Sequence, residues 1–534
     1  MKLMLAKENK PTSEEASPRS LADYNEDIIE SGVLAPSTWY EDRTSLIYCL
    51  VGVAVLTVIY IPYRDIHIPP VILQMSAMFI GLICIKFMLE NYIYLLLMFV
   101  VYAPFQKVLP GDFGGVARAF NTTNLLGLFL FFGWIAQASL HGRRVLRMRK
   151  IDVVILSFMF VSTISLIRGY YSFGAETARG ESLIFPLKRW LEPMLIYFVF
   201  VNNIPHRRYA KLIVTAFLVT MLSCTVIALK QFYLDKGGLT GSFSSLDKMR
   251  ISGIADQPNQ MAAFFCYYGF FYLAFFLVYI RKFGYWVFMP FFIMTYQGMH
   301  LCFSRGGQLG FLSGALATLF LWNKKFFTAL VVPVLITLIM YPAMIPDRIV
   351  GRFRTAVQVN KGDTFSEKDE EKYTFDKTAE ERLVIWQAGI NMIGDYPLVG
   401  VGFKRFKHRI GDYNPEKATK DAHNTYILIA SEMGIPALIL FLLIICMGFY
   451  QAWRVFYLSE LLFFKAVALG YMGGVFGLLV VNMFGSRLDS NEVTFYYWIL
   501  TAVMVRLHEL AIEERSRRDK IAQANLPPVR TMLG

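Results

Sequence analysis

Charged side chains are scarce in this sequence. Asp, Glu, Lys and Arg make up 17% of 534 residues, and hydrophobic residues make up 55%. Soluble domains usually carry about 25% charged residues, so the shortage excludes an ordinary soluble globular protein. Several runs contain almost no charge, among them 46–61, 151–167 and 326–345. Such runs are typical of membrane-spanning helices, so we expect an all-α fold: a polytopic transmembrane helical bundle of about 12–14 spans with one large external loop.

Sequence motifs for cofactors, nucleotides and metals are also missing. The sequence has no P-loop, no dinucleotide-binding fingerprint, no metal-binding histidine motif and no G-x-S-x-G nucleophile elbow. All six cysteines lie in apolar segments, and no pair has the spacing of metal ligands. A nucleotide-driven motor and zinc chemistry therefore have no support, and we expect no metal and no other cofactor.

Basic residues exceed acidic ones, but they are grouped between the apolar runs. The net charge is +13, and a typical basic cluster lies at 141–150. This pattern indicates cytoplasmic loops under the positive-inside bias, so we expect no nucleic-acid partner. If the spans alternate, the basic loops share one side and both termini lie inside. The expected segments are a cytoplasmic tail at 1–44, transmembrane helices at 45–345, an external (periplasmic) loop at 346–422, C-terminal transmembrane helices at 423–508 and a cytoplasmic tail at 509–534.

The spans can be placed individually from the apolar runs. We expect them near 46–63, 68–89, 91–106, 121–140, 151–169, 183–203, 210–231, 260–280, 284–303, 307–322, 325–345, 424–449, 463–484 and 492–508. In the external loop, Leu383, Trp386, Ile390 and Ile393 recur at helical spacing among polar residues. This spacing predicts an amphipathic helix over 380–393 that lies on the membrane surface or over the transmembrane core.

Two arginines are expected at the outer membrane boundary, the side that the positive-inside bias disfavours. Arg305 lies between two spans that leave almost no room for a loop, and Arg189 begins the sixth span. Their guanidinium groups could bind the oxygens of a diphosphate, and Gly306 and Gly307 would allow the backbone to approach a ligand closely. The alternative is interfacial anchoring, in which both side chains extend to the lipid headgroups.

His423 closes the external loop at the start of the twelfth span. Histidine is well suited to accept a proton near neutral pH, and a helix N-terminus disfavours the imidazolium form. The alternative is that Asp421 or Asn424 merely caps the helix and His423 is an interfacial residue. Glu432 follows on the same predicted helix, where an intramembrane carboxylate is either functional or a packing residue beside Pro436.

Taken together, these segments resemble the O-antigen ligase/polymerase family. The resemblance covers about residues 180–450 and rests on an ordered set of short motifs and on the position of the large loop. The matching pieces are Arg250-x-x-Gly253 with Pro258-Asn259, Phe303-Ser304-Arg305-Gly306-Gly307, Arg382-x-x-x-Trp386, Pro397-Leu398-Val399-Gly400-Val401-Gly402, and His423-Asn424-Thr425-Tyr426 with Glu432-x-Gly434.

The resemblance implies a membrane glycosyltransferase of the bacterial cytoplasmic (inner) membrane that needs no metal. The implied partners are an undecaprenyl-diphosphate-linked glycan donor, a glycan or lipid acceptor, membrane lipids and other polysaccharide-assembly proteins. It places the catalytic histidine at His423 and the diphosphate-binding arginines at Arg305 and Arg189. Supporting roles fall to Asn424, Glu432, Gly306, Gly307 and Arg382. Ala437 departs from the ligase pattern, so ligase and polymerase both stay open.

Two other functions remain possible on the same residues. In a polysaccharide or lipid-glycan transporter or flippase, the arginines would bind an anionic substrate. Such proteins often have matching broken helices in two halves, whereas here only the break at 304–307 is visible. A non-catalytic component of an envelope assembly has no specific feature in its favour.

Overall fold

The computed structural model describes most of the chain beyond residue 90. The predicted tail 1–44, the span 46–63 and nearly all of the span 68–89 lie outside the described residues, which all belong to the unit Cys49–Gly534. The described residues are 82, 85–86, 91–106, 122–140, 142, 144–172, 184–235, 249–255, 257–341, 357–359, 373–375, 377–488 and 490–524.

Helices dominate the described part of the chain. The first group is α1 (Tyr92–Tyr102), α2 (Thr122–Leu140), α3 (Lys150–Ser172), α4 (Ile184–Asn202), α5 (Arg207–Lys230), α6 (Pro258–Tyr268), α7 (Phe270–Val278), α8 (Phe288–Leu301), α9 (Arg305–Trp322) and α10 (Lys324–Met340). The second group is α11 (Lys377–Asp395), α12 (Phe406–Tyr413), α13 (Thr425–Met433), α14 (Ile435–Leu458), α15 (Leu462–Val481) and α16 (Asn491–Ala524). Short 3-10 or π turns cover Ala103–Phe105, Gln231–Asp235, Phe283–Val287, Pro415–Lys417 and Asn482–Phe484.

Seven helical stretches of the described residues are long and apolar enough to cross a membrane. They are Thr123–Leu140, Lys150–Tyr171, Arg207–Asp235, Pro258–Val278, Ile435–Leu458, Leu462–Phe484 and Asn491–Ser516. The predicted all-α polytopic bundle is therefore confirmed. The described residues of the predicted spans 91–106, 183–203, 284–303, 307–322 and 325–345 are mostly helical, but these spans fall outside this set of seven.

Glycines on α15 allow close packing in the middle of the bundle. A Cβ at Gly474 would lie 2.2 Å from the carbonyl oxygen of Tyr267 in α6, and a Cβ at Gly477 would lie 2.2 Å from that of Cys266. Small residues at helix contacts are a common means of close packing in membranes. The helix α9 packs on α15 as well, so that the start of α9 lies beside the end of α15.

The prediction of one continuous helix over 424–449 is wrong. The chain breaks at Gly434, which has a φ of +89°, and a Cβ there would lie 2.3 Å from the carbonyl oxygen of Leu398. Ile435 donates its backbone N–H to the carbonyl oxygen of Pro397 at 2.7 Å, and Pro436 stands in the first turn of α14. Glycine adopts this positive φ without strain, which explains the break. The short helix α13 is thus separate from the candidate span α14.

The predicted amphipathic helix of the loop exists, as α11, and a second set of apolar residues on it packs within the loop. Ile385, Ala388 and Met392 are buried against α12 and α13, whereas Leu383 is 47% exposed and Ile390 is 52% exposed. The side chains that pack are offset from the predicted face because α12 and α13 cover that side of the helix. The predicted contact of α11 with the membrane surface stays a prediction.

A small antiparallel strand pair adds to the helical fold. Strand β1 (Val357–Val359) pairs with strand β2 (Tyr373–Phe375), and Val357 lies opposite Phe375. Both strands belong to the loop segment that precedes α11, which the sequence pattern had left without secondary structure. The pair leaves the helical architecture unchanged.

Ion pairs connect the helix ends at the end of the bundle opposite the loop. The Nε atom of Arg149 in the α2–α3 connection lies 2.7 Å from the Oε1 atom of Glu509 in α16. Arg506 also pairs with Glu509, and Arg207 of α5 pairs with Glu514. These contacts join α3, α5 and α16 far from the loop helices.

Candidate functional site

The candidate site is built around the N-terminus of α13. Asn424 caps this helix, because its side-chain oxygen accepts the backbone N–H groups of Tyr426 at 2.9 Å and Ile427 at 3.2 Å. The residue before the cap, His423, has a φ of +49°. A positive φ is uncommon outside glycine, and it persists only when neighbouring contacts hold the backbone in place. His423 is thus presented by a strained turn.

Contacts from two sides hold that turn. The indole N–H of Trp386 in α11 donates to the carbonyl oxygen of Ala422 at 3.1 Å. On the other side, the hydroxyl of Thr425 donates to the Oδ1 atom of Asn482 at 2.7 Å and lies 3.0 Å from the carbonyl oxygen of Gly485. The loop helix α11 and the end of α15 therefore fix the position of His423 between them.

The surroundings of His423 favour its neutral imidazole. Partial burial lowers the pKa of the His423 side chain, and the positive charges of Arg382 and Arg487 lower it further. The negative charge of Asp421, whose Oδ2 atom lies 3.8 Å from the Nδ1 atom of His423, raises the pKa and opposes these effects. The sequence predicted the same direction from the helix dipole, whereas in the structure burial is the largest cause. The side chain of His423 is 43% exposed, so solvent and a substrate hydroxyl can reach it.

Arg305 is the first residue of α9, and its side chain is exposed. Ser304 caps the helix by accepting the N–H of Gly307 at 3.2 Å. A Cβ at Gly306 would lie 2.7 Å from the Cβ atom of Phe484, and one at Gly307 would lie 2.9 Å from a side-chain atom of Ala262. The two glycines therefore allow α9 to pack against neighbouring chain segments, while the predicted approach of a ligand to their backbone stays a prediction. This packing places Arg305 next to the segment that follows α15.

Arg189 is exposed on the second turn of α4, and a cleft begins beside it. The neighbouring Trp190 ring lies 6.0 Å from the ring of Phe403, centroid to centroid. The cleft is open to solvent, has an empty volume of about 320 Å³ with that open space included, and reaches α13 and the segment after α15. Its lining residues are Trp190, Phe403, Lys404, Thr425, Leu428, Ile429, Glu432, Met433, Ser486 and Leu488.

Glu432 has a structural environment at the far end of α13. Its side chain is buried, and its Oε1 atom accepts the backbone N–H of Phe406 at 3.1 Å. Its backbone carbonyl accepts the N–H of Gly402 at 2.9 Å and the hydroxyl of Ser165 at 2.7 Å. Glu432 therefore joins α3 and the turn before α12 to α13. The sequence suggested that Glu432 follows His423 on a membrane-spanning helix, whereas it lies on the short helix α13.

Two arginines that the sequence analysis did not assign to the site belong to its electrostatic surroundings. Arg250 donates from Nε to the carbonyl oxygen of Cys302 at 3.1 Å and from Nη2 to the Oδ1 atom of Asn259 at 2.9 Å. Arg487, in the connection between α15 and α16, is 9% exposed. Burial, together with the charges of Arg382 and Arg250, lowers the pKa of the Arg487 guanidinium to about 10, so it stays protonated at neutral pH. The signal for Arg487 was available: like Arg305, it is an arginine expected on the disfavoured external side.

The site therefore combines a neutral, accessible histidine with a positive environment. The charges of Arg382 and Arg487 act on His423, those of Arg382 and Arg250 act on Arg487, and Asp421 supplies a negative charge that acts on both His423 and Arg487. Such an environment suits an anionic ligand beside a proton acceptor. Among the described residues, no group of three or more His, Cys, Asp and Glu side chains could hold a metal ion.

Fold and site together define a multi-pass helical membrane protein with an accessible histidine and several guanidinium groups at one end of its bundle. Residues 290–442 match the family model described as O-antigen ligase. No curated protein matches the chain. The matched stretch runs from α8 into α14, and it includes Arg305, Arg382 and His423 but not Arg189 or Arg487. The resemblance seen in the sequence is confirmed over this stretch, and it indicates membrane glycosyltransferase activity of the O-antigen ligase/polymerase type.

Proposed function

We propose that this protein transfers a glycan from an undecaprenyl-diphosphate carrier to an acceptor hydroxyl at the outer face of the bacterial cytoplasmic membrane. The observation that carries the proposal is the placement of His423. It is accessible, its pKa is lowered, and it stands where the loop helices meet the helical bundle, with arginine charges around it. A proton acceptor beside a site for phosphate is what attack on a diphosphate-linked sugar requires.

In the proposed reaction, neutral His423 accepts the proton of the acceptor hydroxyl. The hydroxyl oxygen then attacks the anomeric carbon of the donor sugar and forms the new glycosidic bond. The bond between that carbon and the diphosphate oxygen breaks, and the electron pair leaves with undecaprenyl diphosphate. General-base assistance of this kind contributes on the order of 10²- to 10⁴-fold to a rate.

The arginines would stabilise the charge that develops on the leaving diphosphate. Arg305 and Arg189 are both exposed at or near helix N-termini, where helix dipoles also favour anions. Arg382 adds a half-buried positive charge close enough to affect His423. Asn424 would support catalysis indirectly, since its capping bonds fix the helix that follows the histidine.

The orientation of the chain in the membrane is part of the proposal. The positive-inside bias of the basic clusters supports an orientation with the loop and His423 outside and the α2–α3 connection inside. The partners would be the lipid-linked glycan donor, a glycan or lipid acceptor, membrane lipids and other polysaccharide-assembly proteins. Neither a metal nor another cofactor takes part in the proposed steps.

Deletion of the gene followed by analysis of surface glycans tests the proposal. Loss of chain extension with a single capped unit would identify a polymerase. Polymer that accumulates on the lipid carrier would identify a ligase. Unchanged glycans with altered uptake of solutes would contradict the proposal and favour a transporter.

A further inference from the structure

The connection between α15 and α16 holds the chain on both sides of His423. Two residues after the histidine, the hydroxyl of Thr425 contacts Asn482 and Gly485 at 2.7 and 3.0 Å. Two residues before it, the Oδ2 atom of Asp421 accepts the hydroxyl of Ser486 at 3.3 Å. A segment that bonds to the chain on both sides of a strained residue contributes, together with the contact from α11, to holding that residue in place.

The same connection carries a buried positive charge, the guanidinium group of Arg487, which lies against Gly485. A Cβ at Gly485 would lie 2.2 Å from the Nη2 atom of Arg487 and 2.3 Å from its Cζ and Nε atoms. The Nη2 atom donates to the carbonyl oxygen of Phe484 at 3.4 Å. Gly485 has a φ of 171°, which is extended backbone that any residue adopts. The absence of a side chain at Gly485 is therefore what leaves room for the guanidinium.

The charged groups that face His423 come from three chain segments. Asp421 lies on its own segment, Glu381 and Arg382 lie on α11, and Arg487 lies on the connection after α15. Glu381 is already paired with Lys417 and Lys420, at 3.6 and 3.3 Å. Arg487 is the more deeply buried of the two arginines, so solvent screens its charge less than that of Arg382.

We propose that Arg487 is a positioning residue for the transfer reaction. Its buried positive charge faces His423, and it belongs to the connection that also holds the chain on both sides of the histidine. This inference rests on the proposed role of His423 as the base. Arg487 acts through His423, and Gly485 acts through Arg487.

The physical consequence is a change in the protonation of His423. A positive charge opposes the uptake of a proton by the imidazole, in the same direction as burial lowers the pKa of His423. Removal of the charge should therefore raise that pKa, so that less of the histidine is neutral at a given pH. A substitution that only weakened packing would lower stability without this directed shift.

The reaction of His423 with diethyl pyrocarbonate measures this protonation without any glycan, because only the neutral imidazole reacts. The full-length protein is purified in detergent and treated over a range of pH, and carbethoxylation of His423 is followed by mass spectrometry of digested protein. Exposed His206, at the N-terminus of α5, serves as the internal reference. The variants are Arg487→Gln, Arg487→Lys, Gly485→Ala and, as a matched control at the opposite end, Arg281→Gln.

Arg487→Gln should move the midpoint of His423 reactivity upward by roughly half a pH unit or more. Arg487→Lys should leave the midpoint close to that of the unchanged protein. Gly485→Ala should move it upward by less, since the new methyl group displaces the guanidinium without removing it. Arg281→Gln should have no effect, and the midpoint of His206 should stay constant in every variant.

An unchanged His423 midpoint in Arg487→Gln and Gly485→Ala, with His206 reacting normally, would overturn the inference whatever the fate of the transferase proposal. If Arg487→Gln does not fold, Gly485→Ala still tests the inference, because it keeps every native side chain and displaces only the guanidinium group of Arg487. Normal glycan transfer by His423→Ala would overturn the proposed base and this inference with it. The two failures are thus distinguishable.

Discussion

At the scale of single residues, His423 is suited to act as a base because several features agree. Its backbone adopts a φ of +49°, its side chain is 43% exposed, and its pKa is lowered by burial and by Arg382 and Arg487. A histidine in free solution has a pKa of about 6.5. The structure therefore shifts protonation of the imidazole to a lower pH than in a free histidine.

The pH dependence of transfer should follow from this shift. As the pH falls from neutral, the transfer rate should decline at a lower pH than it would with a histidine of ordinary pKa, because the lowered pKa delays protonation of His423. Initial rates of glycan transfer by the purified protein, measured over a series of pH values, give the profile. A rate that rises steadily on acidification would contradict a neutral imidazole base.

Arg305 should need its guanidinium and not only its charge. Arg305→Lys should lower the transfer rate roughly 10- to 100-fold, because an ammonium group cannot reproduce a two-pronged contact with phosphate oxygens. Transfer by stably expressed Arg305→Lys and Arg305→Ala gives the comparison, and Arg281→Lys at the opposite end is the matched control. Normal transfer by both Arg305 variants would show that Arg305 only anchors the helix at the interface.

At the scale of elements, the break between α13 and α14 shapes the site. Gly434 has a φ of +89°, and a Cβ there would approach the carbonyl oxygen of Leu398 to 2.3 Å. The break lets α13 lie with the loop helices, so that its N-terminus and His423 face α11 and the end of α15. A continuous helix would have taken α13 into the candidate span.

Gly434→Ala should therefore destabilise the protein by at least about 1–3 kcal/mol, from backbone strain alone. Gly394→Ala is the matched control, since no atom lies within 4 Å of a Cβ at Gly394 and its φ is not positive. Thermal unfolding followed by size-exclusion chromatography with fluorescence detection should show a lower midpoint for Gly434→Ala and no loss for Gly394→Ala. Equal midpoints would show that the tight turn at Gly434 can relax.

The sequence predicted most of the helices, but not where each helix ends or which of its faces packs against the rest of the protein. Apolar runs located α3, α5, α14 and α15, because burial in a membrane requires long apolar stretches. The break at Gly434 was missed because apolar residues continue through it, although Gly434 and Pro436 carried the signal. The packed residues of α11 were not predicted, because Ile385, Ala388 and Met392 also recur at helical spacing and only the packing of α12 and α13 shows which residues are buried.

At the scale of the whole molecule, the site depends on contacts between distant parts of the chain. Periodicity and charge placed His423 and Arg305 at one end, since both stood at the external ends of predicted spans. Periodicity and charge could not predict that Arg487 lies near His423, because the two residues come together only when α15 ends next to both α9 and α13. Such convergence follows from helix packing, which a local sequence pattern does not encode.

The orientation of the bundle can be tested on intact cells. A cysteine in place of exposed Lys407 on α12 should react with a membrane-impermeant maleimide, and one in place of exposed Lys324 at the start of α10 should not. The unchanged chain measures the background from native cysteines. Labelling at position 324 but not at 407 would reverse the orientation and remove the site from the outer face.

The most direct measurement of the central claim compares transfer by His423→Ala and by His408→Ala. His408 is exposed on α12 and serves as the matched control. With purified protein, lipid-linked donor and acceptor, His423→Ala should lose about 10²-fold or more in rate while it still binds the donor, whereas His408→Ala should transfer normally. Transfer by His423→Ala at the rate of the unchanged protein would contradict the account, because the proposed base would then be dispensable.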